Sequence, residues 1–305
     1  MRIILDTDLG NDIDDTFALY YLLKEARGSL ALVLTEYGHT KKRANMICRF
    51  LKKCGAEEIP VGAGVEKTIA EEPYIPYMYR FLSPEEQAER YPILENGLEK
   101  AKELIERYDD VVIVAIGPTE NLAALAEICP KARTVPVCAM LGSIYVGYPG
   151  EEGPHAEWNV KADIPAARKT LASYENLTLA PLDTCGQIRI RGDAYRRFLN
   201  SRNPVSEEYR TWLGLGFHSD PDRSSILYDT QPVYMLLDGS LLEYETLSLR
   251  CGDDGRLFQD PAGHPVKAAM RWKDLKAYED RIAGLYIDAD PRPEGERWRE
   301  RKEQP

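Results

Sequence analysis

The sequence predicts an α/β fold: a mostly parallel central sheet with helices on both faces, and a small antiparallel appendage near the C-terminus. Three observations carry that prediction. Short apolar runs rich in β-branched residues alternate with longer amphipathic stretches through residues 1–180, a rhythm of strand–helix–strand units that makes successive strands parallel. The junctions hold turn and cap chemistry, such as Gly117-Pro118 after one run and Pro165 in the first turn of a helix. After about residue 240 the rhythm changes to three strand-like segments with no helix between them.

In order, "RIILDT" is a short buried strand. "DDTFALYYLLKEAR" then sets Phe17, Leu19, Tyr20, Leu22 and Leu23 on a broad helical stripe. "LALVLTEYG" reads as a strand, "TKKRANMICRFLKKCG" as a helix stopped by Gly55, and "IPVGAG" as a brief strand. Glu71 to Tyr91 is rich in Tyr, Pro and Glu without a clean period, and reads as a flap-like excursion from the sheet. "LEKAKELIERY" is a helix, "DVVIVAIGP" a strand, "TENLAALAEICP" a helix and "TVPVCAML" a strand. The irregular "GSIYVGYPGEEGPH" follows, then the helix "DIPAARKTLASY" and the strand "NLTLAPL". Of the last third, "PVSEEYRTWLGLGF" and "DTQPVYMLLDGS" look helical. "LLEYETLSLRC", "GRLFQDP" and "HPVKAAMRW" form the antiparallel group, and "KDLKAYEDRIAGLYI" is a closing helix. We expect one domain over residues 1–289 and a charged, frayed tail over 290–305.

A chain of 305 residues buries a sizeable core. Its net charge of −11 argues against nucleic acid or an anionic membrane as partner, and favours a cation or a neutral small molecule. The six cysteines show neither C-x-x-C nor paired zinc spacing, so reduced, mostly buried thiols are expected. Met1 leads straight into a strand, and no apolar stretch approaches the roughly 18 residues of a membrane span. A cytoplasmic protein is the expectation.

Residues 3–15, "IILDTDLGNDIDD", crowd Asp6, Asp8, Asp12, Asp14 and Asp15 onto one turn between a strand and a helix. Capping and the helix dipole account for one or two of them, Asp14 and Asp15 at the helix start. They leave Asp6 and Asp8 unexplained, because like charges this close raise one another's pKa and cost stability. A bound hard cation removes the conflict, and oxygen ligands on a tight turn suit Ca²⁺ or Mg²⁺. The loop is not an EF-hand, since Gly10 comes too early and the flanks are strand then helix. Ligands of parallel sheets sit beyond the carboxyl ends of the strands, where Asp6, Asp8, Ile116 to Pro118 and Leu141 to Ser143 are expected to meet.

"DTDLGNDIDDTFAL" resembles the N-terminal signature of the inosine–uridine-preferring nucleoside hydrolase family, in a form two residues longer between Gly10 and Asp14. "IGPTENLAAL" (116–125), "AEWNVKADIPAA" (156–167) and "LYDTQPVYML" (227–236) resemble its later segments, in order and with compatible spacing. The resemblance implies Ca²⁺ at the carboxyl ends of the sheet, held by Asp8, Asp15, Asp229 and the backbone carbonyl of Ile116, with a water completing the shell. It implies hydrolysis of an N-glycosidic bond to ribose and free base through a ribosyl oxocarbenium-like transition state. Asp8 would be the base that activates the water, and Asp14, Glu157 and Asn159 would grip the ribose. A homodimer or homotetramer is implied as well. Asp229 also opens a helical stripe, so a plain N-cap is its alternative, and Glu157 and Asn159 have a surface-loop alternative. Asp6 reads as a supporting residue, and Asp12 as either a further ligand or a solvated acid.

The chain departs from the family pattern around the leaving base. Tyr228 stands where a His, the candidate acid, often precedes the aspartate. A phenol, with an ordinary pKa near ~10, is a poorer proton donor than an imidazolium. His218 is a second candidate acid, against a solvated or helix-capping role. His39 is a polar contact near the sugar or a loop residue. The asparagine that usually precedes A-E-F-N is missing, and His155 or Tyr148 would stand in. Tyr74, Tyr77 and Tyr79 would stack on a base or pack in the core. The aglycone therefore stays open among nucleosides and related N-ribosides. Two rivals are a phosphatase using Asp6 as nucleophile, for which "IGPTEN" offers no basic residue, and a Ca²⁺-dependent ribosyl-binding protein without turnover.

Overall fold

The computed structural model describes residues 1–66 and 82–287. Nine strands form one sheet in the order β3-β2-β1-β4-β5-β6-β9-β7-β8. The strands are β1 (Arg2–Thr7), β2 (Leu30–Thr35), β3 (Val61–Ala63), β4 (Val111–Ala115), β5 (Val137–Met140), β6 (Leu177–Ala180), β7 (Leu242–Cys251), β8 (Leu257–Gln259) and β9 (His264–Trp272). Every pair from β3 to β9 in that order is parallel. The predicted antiparallel group is present, β7 pairing with both β8 and β9. It is hydrogen-bonded to the main sheet, because β9 runs parallel beside β6.

Alternation along β1 shows how the sheet is covered. Ile3 and Leu5 pack into the apolar layer built from helices α1 (Asp14–Glu25) and α2 (Thr40–Lys53). Ile4 points into the opposite layer, with α4 (Gly97–Arg107), α5 (Glu120–Ile128) and α7 (Ile164–Ser173). A parallel strand buried on both faces needs apolar residues at successive positions, and "IIL" supplies them. The first layer is completed by α9 (Gly192–Leu199), α10 (Pro204–Leu213), α11 (Thr230–Leu237) and α12 (Leu275–Ile287), whose Phe198, Tyr209 and Tyr286 rings meet Phe17 of α1 at centroid distances of 5.3, 5.7 and 4.7 Å.

Four short helices escape the sequence reading. They are α3 (Pro84–Ala88), α6 (Trp158–Ala162), α8 (Leu182–Cys185) and the eight-residue α9. Each is too brief to display a period, and only local chemistry betrays them. Ser83 and Glu86 close a reciprocal capping box on α3, and the Glu157 carboxylate accepts the Asn159 and Val160 N–H groups at the start of α6. Tyr74, Tyr77, Tyr79 and the tail at 290–305 lie outside the described residues. All six cysteines are unbridged. No helix among the described residues is long and apolar enough to cross a membrane.

Candidate active site

The strand order reverses direction between β1 and β4, and a reversal opens a crevice at the carboxyl ends of the two strands. The Ile116 N–H donates to the Asp6 carbonyl at 2.8 Å, holding the two strand ends together. Gly117 permits the approach: a Cβ there would stand 2.7 Å from Glu36 Oε1 and 3.0 Å from Asp8 Oδ1. Gly10, at φ +121°, turns the chain so that α1 begins at Asp14 over the same crevice.

The resulting cavity holds about 210 Å³. Asp8, Asn11, Asp12, Asp14 and Asp15 line it from the first turn, Ile116 from the end of β4 and Met140 from the end of β5. Tyr148, Glu157, Trp158 and Asn159 come from the β5–α6 segment, and Tyr228 and Asp229 from the start of α11. Six of these are carboxylates; none is lysine, arginine or histidine. Single carboxylate oxygens of Asp14, Asp15 and Asp229 all lie within 4.8 Å of one another. These three residues are each 4% exposed, and Asp8 is 6% exposed.

Asp229 occupies the N-cap position of α11, yet its side chain makes no capping hydrogen bond. No side chain caps α1 either. Capping therefore does not account for these carboxylates. Burial, followed by the neighbouring aspartates, pushes Asp14 and Asp229 well above the carboxylate range. Asp15 is raised by burial and by Asp8, against a hydrogen bond from the Thr7 hydroxyl. Asp8 is raised by burial and partly restored by the Arg43 guanidinium.

Arg43 was not singled out from the sequence. It is fully buried, and its Nε donates to the Tyr37 carbonyl at 2.8 Å. Its Nη1 donates to the carbonyls of Leu9, at 3.0 Å, and Asp8. One guanidinium thus fixes the aspartate turn to the β2–α2 turn, where Tyr37 adopts φ +65°. The available signal was position: Arg43 shares the helical stripe of Ala44, Ile47, Phe50 and Leu51. Asp183 was missed for the same reason, lying in the apolar "LAPLDTC". Its carboxylate accepts from Ile144, Tyr145 and Val146 N–H at 2.9, 2.8 and 3.2 Å, shaping the loop that carries Tyr148.

Behind the cavity, Asn121 donates to Asp6 Oδ1 at 2.7 Å and to the Thr35 carbonyl at 3.1 Å, and accepts from Val65 N–H at 2.8 Å. Burial drives Asp6 to about 8 against that Asn121 hydrogen bond, with Glu120 and Asp8 adding to the rise. Asp6 does not line the cavity, so it supports the turn from beneath.

Of the predicted site residues, the fold brings Asp8, Asp14, Asp15, Ile116, Glu157, Asn159, Tyr228 and Asp229 into this one cavity. Glu157 is buried, not a surface-loop residue, and accepts from Gly142, Asn159 and Val160 N–H at 2.9, 2.7 and 3.3 Å. Burial outweighs these bonds and lifts it to about 7. The Asn159 amide donates to the Met140 carbonyl at 3.1 Å. Tyr148 joins the lining, whereas His155 pairs with Glu151 at 2.8 Å outside it. His39 occupies the N-cap position of α2 without a side-chain capping hydrogen bond, and lines neither this cavity nor the next. His218 lines an adjoining cavity of about 520 Å³, which shares Asn11, Asp12, Trp158 and Tyr228 with the first. Asn11 and Trp158, which line both, were within the quoted motifs but not singled out.

A donor set made only of oxygens, several of them on mutually repelling buried carboxylates, fits a hard divalent cation and not a soft one. Fold and site together define an α/β protein with a carboxylate cavity suited to a hard cation at the switch point of its sheet. The chain belongs to the inosine-uridine preferring nucleoside hydrolase family, whose model matches residues 3–278. It is 27% identical to the pyrimidine-specific ribonucleoside hydrolase RihA of Shewanella sp. (strain ANA-3) over 258 residues, 79% of each chain. It is 21% identical to probable uridine nucleosidase 2 of Arabidopsis thaliana, over 92% of this chain and 88% of that one. The fold is that of a plant nucleoside hydrolase, PpNRh1, with a TM-score of 0.75 at 22% identity over 96% and 99% of the two chains. A purine-preferring ribonucleoside hydrolase from Gardnerella vaginalis superimposes with a TM-score of 0.74 at 19% identity, over 95% and 100%. The protein is accordingly an N-glycosyl hydrolase of the nucleoside hydrolase type.

Proposed function

We propose that this chain hydrolyses the N-glycosidic bond of a ribonucleoside or related N-riboside, giving ribose and the free base, with Ca²⁺ as its metal. The observation that carries the reading is the cavity of six carboxylates with no basic side chain, at the switch point of the sheet. Asp8, Asp15, Asp229 and the Ile116 carbonyl would hold the ion, and Asp14 stands close enough to join them. When bound, the ion would acidify a water and draw the sugar diol toward it.

The remaining work belongs to the chain. Asp8, whose charged form the Arg43 guanidinium favours against burial, takes the proton of the attacking water. Asp14, Glu157 and Asn159 orient the ribose hydroxyls, so that positive charge growing at the anomeric carbon faces carboxylates. Trp158 and Tyr228, shared with the adjoining cavity, lie where the base departs. Burial raises the Tyr228 phenol further above its ordinary value, so it keeps its proton and serves as a hydrogen-bond donor. His218 lines the adjoining cavity and engages the Arg223 carbonyl through Nε2 at 2.7 Å.

The test is ribose release from purine, pyrimidine and pyridine ribosides, with Ca²⁺ and after chelation, for wild type and Asp8→Asn. We expect chelator-sensitive release that falls by about 10²-fold or more in Asp8→Asn. Ca²⁺ binding with no release from any riboside would leave a ribosyl-binding protein instead, and Mg²⁺ supporting release where Ca²⁺ does not would replace the ion.

A further inference from the structure

The adjoining cavity differs in character from the carboxylate one. Its walls are aromatic: Trp212 stacks on Phe217 at 5.9 Å and 29°, and on His218 at 6.4 Å and 24°. It also carries one arginine, Arg189. Three arginines crowd this end of the fold, and two are neutralised. Arg191 pairs with Glu279 at 3.1 Å and Arg223 with Asp220 at 2.6 Å. Arg189 donates through Nη1 to the Ser224 carbonyl at 2.6 Å, and no carboxylate side chain among the described residues lies within ion-pair distance of it. Its guanidinium is half-buried between two like charges and within electrostatic reach of Tyr228 and, more weakly, of Asp220, whose carboxylate is already paired with Arg223. A cation left in that setting lacks its natural counterpart, and the guanidinium fork matches a carboxylate.

Charge fixes where an anionic group would sit. Six carboxylates surround the sugar cavity, so a negative group belongs on the aglycone, in the aromatic cavity that carries Arg189. A positive group belongs at the junction, beside Asp12.

Resting on the hydrolase reading, we propose that the substrate is a ribosyl pyridinium carboxylate, with its ring in the aromatic cavity and its carboxylate on Arg189. The water oxygen bonds to the anomeric carbon as the bond to the ring nitrogen breaks. The electron pair stays on nitrogen and neutralises the pyridinium, and the proton of the water goes to Asp8. No further proton is required, and the product is ribose with a free pyridine carboxylate.

The experiment compares nicotinic acid riboside with nicotinamide riboside, which differ only in carboxylate against amide, on the full chain with Ca²⁺. Wild type should prefer the acid by about tenfold or more in kcat/KM. Arg189→Gln should bring that ratio near one, and Arg189→Lys should hold it between, with melting temperatures showing that both variants fold. A wild-type ratio at or below one, or a ratio unmoved in folded Arg189→Gln, overturns the proposal. Should neither riboside be cleaved while uridine or inosine is, the substrate proposal is overturned and the hydrolase reading stands; should none of the four be cleaved, the hydrolase reading fails by itself. Quenching of tryptophan fluorescence by free nicotinate and nicotinamide then decides Arg189. Binding selective for nicotinate and lost in Arg189→Gln supports the anion site, and equal binding overturns it.

Discussion

Replacing Asp229 with Asn should make the metal-free protein more stable and the metal-loaded protein less so. Oxygens of Asp14, Asp15 and Asp229 lie within 4.8 Å of one another. At an effective dielectric constant near 20, each ionised pair at that separation costs about 3 kcal/mol. Three pairs cannot all be tolerated without a cation, and burial together with repulsion from neighbouring aspartates raises all three groups. Asn keeps the shape of Asp229 and removes two of the three repulsions. Its side chain caps nothing in α11, so no hydrogen bond to the helix is lost. The chelated variant should gain about 2–4 kcal/mol at neutral pH. For a chain of this size that is a rise of roughly 4–8 °C in melting temperature. Divalent cation at 100 times its Kd should add about 2.7 kcal/mol to wild type and much less to Asp229→Asn. Calorimetry with chelator and then with Ca²⁺ or Mg²⁺ reads both effects. A chelated variant that melts several degrees below chelated wild type, or one that keeps the full cation-induced rise, would refute the reasoning.

Two further outcomes test the surroundings of the site. Arg43→Lys keeps the charge but cannot fork onto the carbonyls of Tyr37, Leu9 and Asp8. It should cost about 2–4 kcal/mol in chemical denaturation and weaken cation binding measured by titration calorimetry. In chelated wild type, Glu157 stands at about 7 and Asp6 at about 8, both above their unfolded values near 4. The native state then binds more protons than the unfolded one, so their contribution is full below about pH 4 and is lost as pH rises through 7 to 8. Urea midpoints of the chelated protein should accordingly fall between pH 6 and 8.5, and a flat or rising profile would show these groups ionised.

The one-dimensional sequence carries the layers and the acidic turn. Period-two and period-3.6 patterns are local properties, so "RIILDT", "LALVLT" and "DVVIVA" declare buried strands, and Asp8, Asp14, Asp15 and Asp229 stand out as carboxylates against apolar neighbours. What the sequence does not carry is the partner of each buried charge. Arg43 reads as one more helix arginine until the fold turns it under the Asp8 carbonyl, and Asp183 until it meets three N–H groups of a distant loop. Short helices such as α6 are set by a single capping carboxylate, Glu157, and have no period to read. The reversal of strand order between β1 and β4, which makes the crevice, depends on which strands pair. So does the separation of a carboxylate cavity from an aromatic one with Arg189. Pairing between residues about a hundred positions apart follows from packing the whole sheet, and that free energy is spread over the entire core rather than written in any one segment.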